Sequence, residues 1–149
     1  YDPRTLKGNG VTYAMGPMGA DHTAGNCFGA RNEVPPRGTD KQGDLSRTTQ
    51  YKMCALDSLG FCIFARPPLF KDPTSMTTLV NSLCGTDISV DQLWEIMGIG
   101  VIRNEREFNI RAGLSPAGDK LPEYVYTEPL PPTGDVFDLS EEEMQRGIV

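Results

Sequence analysis

The sequence predicts an all-α fold: an irregular multihelical domain with long loops and little or no strand. Three observations carry this expectation. Apolar residues recur at helical spacing through "SVDQLWEIMGIGVIRNEREFNIRAGL" (89–114). Ser89 with Gln92, and Ser140 with Glu143, each read as a capping box. The only short run that alternates as a strand should is "YVYT" at 124–127. A chain of 149 residues fits one domain, and such a domain buries roughly 68–70% of the surface its unfolded chain exposes. With no internal repeat and no convincing boundary, 1–149 reads as a single helical unit with one core.

Taken in order, the loop "AMGPMGA" leads into "GADHTAGNCFGAR" (19–31), a stretch able to hold a first helix. The next helix runs from Leu45 to about Cys62, entered through Asp44 or Ser46. A shorter one follows from Ser75 to Cys84, entered by Pro73-Thr74 and stopped by Gly85. The longest spans about 90–112. It aligns Val90, Leu93, Trp94, Met97, Val101 and Phe108, is weakened in the middle by Gly98 and Gly100, and stops at Gly113. Prolines between Gly118 and Asp138 predict an extended connection draped over the surface. A last helix opens at Ser140, where the acidic "SEEEM" suits the positive end of a helix dipole.

Composition narrows the function classes. Hydrophobic residues make up 38% and charged residues 23%, as in soluble globular chains. A net charge of −6 repels a nucleic-acid backbone, so no nucleic acid is expected as partner. The apolar runs are only a few residues long, which predicts no membrane span, and no export signal is visible. The chain opens on "YDPRTLKG" rather than Met and stops at "EEEMQRGIV", which reads as a piece of something longer. Cys27, Cys54, Cys62 and Cys84 include no C-x-x-C pair, which argues against a closed zinc site. Two disulfides are formally allowed, but reduced thiols in a cytoplasmic protein, most of them small core residues, are the expectation.

The stretch "DSLGFCIF" (57–64) carries the strongest chemical signal. An aspartate amid Leu56, Leu59 and Phe61 is costly to bury ionised without N–H donors around it. A ligand rich in N–H groups, such as an amino-pyrimidinone ring, would supply them. Gly60 allows close backbone approach, and a Cys62 thiolate suits a soft metal such as cluster iron. The plainer alternative is a helix end, in which Asp57 caps, Gly60 turns and Cys62 packs. His22 is the only histidine; in a glycine-rich loop it is either a surface residue or an imidazole held beside a cavity. "RNEREFNIRAG" reads as a solvated helix face with Glu107 and Arg111 at i,i+4.

Together these stretches resemble the C-terminal part of the tungsten-dependent aldehyde:ferredoxin oxidoreductase family. The resemblance rests on "YDPRTLKGNGVTYAMGPMGADHTAGN", "DSLGFCIF", "EREFNIRAG" and "DKLPEYVYTEPLPPTG", in the family's order and over nearly the whole chain. It implies that Asp57 binds a pterin ring, that the Gly60–Phe61 backbone lies against it, and that Cys62 is the fourth ligand of a [4Fe-4S] cluster. It maps the histidine that faces the metal onto His22, as proton donor or acceptor to the substrate. Glu105, Arg106, Phe108, Asn109, Arg111 and Gly113 match a family motif read as structural. The chain departs from the family's pattern at Ala24, where a basic residue is usual, and at Arg103 and Tyr124.

The implied parent carries a tungsten (or molybdenum) bis-pterin and a [4Fe-4S] cluster, both completed by upstream domains of the same chain. It oxidises a small aldehyde to a carboxylic acid, passes electrons to ferredoxin, and is able to pair as a homodimer. The isolated piece is expected to be inactive. Two alternatives accompany this reading: a tungsten subunit acting on another low-potential substrate such as an aromatic acyl-CoA, and a helical interaction module without cofactor.

Overall fold

A computed structural model describes residues 1–149, and it is all-α. Helices α1 (Lys7–Met15), α2 (Gln42–Ser58), α3 (Arg66–Lys71) and α4 (Thr74–Cys84) are followed by a continuous run of α5 (Val90–Leu93), a π-helical segment (Trp94–Ile99) and α6 (Gly100–Arg111). Two short helices, α7 (Glu123–Thr127) and α8 (Glu141–Gln145), complete the order. There is no sheet; the only β pairing is an isolated antiparallel bridge between Leu130 and Asp135.

Helix α1 escapes a sequence reading for a physical reason. "KGNGVTYAM" holds two glycines, an asparagine and a threonine, and eight of its nine residues are buried. A helix packed on all sides has no polar face, so it shows no amphipathic period. Its glycines permit close contact: a Cβ on Gly10 would sit 2.3 Å from the Phe137 ring.

Helix α2 starts three residues earlier than the spacing predicts and ends four earlier, at Ser58. Cys62 therefore lies outside it. The expected helix within 19–31 shrinks to a single 3-10 turn, Cys27–Ala30, opened by the Asn26 side chain accepting from the Phe28 amide. Arg66–Lys71 is helical where none is expected, because Pro67 and Pro68 occupy its first turn, where no N–H is needed. The α4 boundaries and the left-handed Gly85 stop agree with the sequence.

The long helix also agrees, capping box included. Its weak middle becomes a π segment whose Gly98 lies against the Tyr51 carbonyl of α2. Phe108, aligned with the apolar positions in the sequence, is 71% exposed instead. "YVYT" forms the helix α7, not a strand. Val125 and Phe137 are buried, so the 118–138 connection is anchored in the core rather than draped over it.

The interior divides into two apolar clusters, in place of the single core expected. Val11, Ala14, Met15, Val125, Phe137 and Met144 form one; Met53, Leu56, Met76 and Leu93 form the other. A buried polar joint links α1 to α2. Thr12 donates to the Gly25 carbonyl (3.1 Å) and accepts from the Ser46 hydroxyl (2.8 Å); Gln50 donates to Ser46 (3.1 Å) and to the Gly147 carbonyl (3.0 Å). Thr12, Ser46 and Gln50 thereby find partners in one another and in the backbone, which fixes one relative placement of the two helices. The 16–26 loop follows α1 and Asp57 closes α2, so this joint also sets their separation.

Candidate functional site at the C-terminal end of α2

The end of α2 is a Schellman turn. Gly60 is left-handed (φ 74°); its amide donates to the Asp57 carbonyl (2.9 Å) and that of Phe61 to Leu56 (3.1 Å). Phe61 packs back on the cluster that contains Leu56, which is the apolar contact this motif favours. Of the plainer helix-end account, the glycine turn is therefore present. The other two parts are not. Asp57 does not cap: it sits in the last turn, where the helix dipole is negative and a carboxylate is disfavoured. Cys62 does not pack: it is exposed, and nothing lies within 4 Å of a Cβ placed on Gly60.

Asp57 is exposed overall but lies at the rim of a cavity of about 180 Å³, where protein replaces part of its hydration shell. That partial burial, and then the nearby Asp21 carboxylate, hold its carboxyl above the usual range. No hydrogen bond or ion pair within the chain compensates it. Gly16, Pro17, Met18 and Ala24 line the same cavity, with Cys54 from α2 and Glu105 from α6. The Asp57 end of α2 and the loop that carries His22 therefore face one another.

Three ties hold that arrangement. Arg106 on α6 donates to the Met15 carbonyl and to Asp119 (2.6 Å). Asn109 donates to the Pro17 carbonyl (2.8 Å). Arg66, just after Cys62, donates to the Asn26 carbonyl (3.0 Å) and so joins the thiol's segment to the His22 loop. Arg106 and Asn109 thus do structural work, and Glu107 with Arg111 forms the expected surface pair.

His22 is exposed and does not line the Asp57 cavity; its ring lies 5.6 Å from that of Tyr1, tilted by 48°. Tyr1 in turn lies 6.0 Å from Phe28. Asp57, Gly60, Phe61 and Cys62 thus follow one another through the turn that ends α2, with the His22 loop across the cavity from Asp57, while the imidazole itself lies outside, beside Tyr1. Sequence reasoning missed two features here: the packing of α6 against the cavity, and the Tyr1 ring beside His22. Neither has a local signature, since both join residues distant in sequence.

All four cysteines are free. Only Cys27 is buried, so the expectation that most are core residues is corrected: Cys54 is half-buried, and Cys62 and Cys84 are exposed. No three His, Cys, Asp or Glu side chains converge in a way that could hold a metal ion. Cys62 is suited to contributing one ligand to a centre completed from elsewhere. The open Gly60 turn and the uncompensated Asp57 carboxylate are suited to a flat, N–H-bearing ring.

A family model described as aldehyde ferredoxin oxidoreductase, domains 2 and 3, matches residues 1–146. Among similar proteins are the tungsten-containing aldehyde ferredoxin oxidoreductases of Pyrococcus horikoshii (31% identical), Thermococcus kodakarensis (30%) and Pyrococcus furiosus (30%). Each match extends over 138 residues and 88% of this chain. It spans 22% of the relative's length, so the chain corresponds to about a fifth of each of these proteins.

Proposed function

The chain belongs to the aldehyde ferredoxin oxidoreductase family, and we propose that it is the C-terminal part of a cytoplasmic tungstopterin iron–sulfur enzyme that oxidises aldehydes. In the reaction proposed, an aldehyde and water give a carboxylic acid, two protons and two electrons, and ferredoxin accepts the electrons. The observation that carries this reading is the end of α2. There an unpaired carboxylate, an open left-handed glycine and an exposed thiol follow one another within six residues, although helix electrostatics argue against the carboxylate.

Asp57, Gly60, Phe61, Cys62 and His22 each have a role in that proposal. Asp57 accepts N–H groups of the pterin, which supplies the donors its own surroundings lack. The Gly60–Phe61 backbone, free of side-chain obstruction on the glycine, lies against the ring. The Cys62 thiolate is one ligand of a [4Fe-4S] cluster whose other ligands come from outside these residues. His22 gives or takes a proton at the substrate oxygen. When bound, the tungstopterin supplies the redox chemistry; the chain's part is to bind, orient and protonate.

The test is to produce the full-length protein that carries this chain anaerobically with tungstate, then assay tungsten, iron and pterin. The proposal expects all three in the purified protein. A correctly folded full-length protein that contains none of them would favour the interaction-module alternative.

A further inference from the structure

Glu105 stands apart within "EREFNIRAG". Arg106 and Asn109 anchor α6 to the 15–17 backbone, and Glu107 pairs with Arg111 on the surface. Glu105 does none of this. It is half-buried and lines the Asp57 cavity together with Cys54, Ser58, Val101 and Ile102. It has no hydrogen-bond or salt-bridge partner in the chain, and burial alone raises its carboxyl above the usual range.

Two carboxylates thus border one small cavity, with Cys54 between them: burial first, then the charge of Glu105 and more weakly that of Asp57, push its thiol up to about 11. No Lys, Arg or His lines the cavity, and Ala24 contributes only a methyl group there. Glu105 is half-buried and unpaired, so holding it ionised costs the fold stability, while Asp57 adds a second, more exposed negative charge at the rim. A structural glutamate would be expected to have a partner, as Glu107 does.

We propose that Glu105 is a second carboxylate of the ligand site, accepting N–H groups of the same heterocycle as Asp57. This rests on the function proposed above. It assigns α6 a direct part in holding the cofactor, in addition to anchoring the loop. It also explains the absence of a cation: the ligand's N–H groups, and not a protein side chain, offset the two acids.

The test uses the full-length protein with Glu105→Gln, Glu105→Ala and, as a control, the surface change Glu107→Gln. Pterin and tungsten per chain are measured after anaerobic purification, and melting temperatures are compared in protein grown without tungstate. Both Glu105 variants should retain several-fold less pterin, while their cofactor-free forms melt at or above the unsubstituted protein because a desolvated charge is gone. Glu107→Gln should change neither reading. Pterin at the unsubstituted level in both Glu105 variants overturns the inference. So does a cofactor-free melting temperature that falls in step with pterin, which marks a structural residue. Absence of pterin from the unsubstituted protein would instead remove the underlying function.

Discussion

The Glu143 carboxylate accepts a hydrogen bond from the Gly43 amide at 2.9 Å, so the C-terminal helix α8 caps the N-terminus of α2. Glu143 is only 7% exposed. The sequence pattern assigns this glutamate to its own helix as half of a capping box with Ser140. Ser140 does accept from the Glu143 amide, but the carboxylate serves α2 instead. It thereby meets an unsatisfied amide at the positive end of another helix.

Glu143→Ala should therefore destabilise the chain by about 1.5–3 kcal/mol, the range for a buried hydrogen bond to a charged group. Gly43→Ala should also destabilise, because its Cβ would stand 2.1 Å from the Glu143 carbonyl oxygen. Urea unfolding of each variant checks both. Unchanged midpoints would show that α8 is not coupled to α2.

A Cβ on Gly98 would come within 2.3 Å of the Tyr51 carbonyl oxygen. Alanine in place of glycine gains up to about 1 kcal/mol of helix propensity, whereas forcing a backbone contact apart costs about 1–3 kcal/mol. The clash should win, so Gly98→Ala lowers the melting temperature and moves the α6 segment that carries Glu105 and Arg106. A melting temperature that rises would mean that the π segment tolerates the methyl.

The elements legible in the sequence are those with a local signal. Ser89 and Gln92 announce the long helix, Gly85 the end of α4, and Ser140 the start of α8. Where the information lies in distant partners, the reading fails. Helix α1 is buried on every side and has no period to read. "YVYT" alternates as a strand does, yet Val125 turns inward from a short helix. The D-x-x-G-x-C edge was visible as a motif. The cavity behind it was not, because Glu105 and Ala24 meet Asp57 only through the packing of α6 and the 16–24 loop around α2.

Asp57 predicts a pH dependence whose sign is fixed. Its folded pKa is raised above the ordinary 3.8. The folded form therefore holds the proton more tightly than the unfolded chain does, and stability falls as pH rises from about 3.8 through the folded value. In cofactor-free protein, Asp57→Asn should be stabilising at neutral pH, and its advantage should vanish as pH falls toward 3.8. Melting curves from pH 3.5 to 7 check this; an advantage of the same size at both ends would show that it does not come from the carboxylate's charge.

The thiols should separate by burial. Burial pushes Cys27 up to about 12 and Cys54 up to about 11, so both are protonated at pH 8 and shielded. Cys62 and Cys84 are exposed. Iodoacetamide with peptide mapping should label Cys62 and Cys84 first in cofactor-free protein, with Cys27 last. Early labelling of Cys27 would contradict the packing of α1 against its turn.

The most direct test of the account is the iron content and cluster spectrum of Cys62→Ala in the full-length protein, purified anaerobically beside the unsubstituted form. The account predicts loss of the [4Fe-4S] signal, with the helical circular dichroism of the chain retained. An intact cluster in that variant would contradict it.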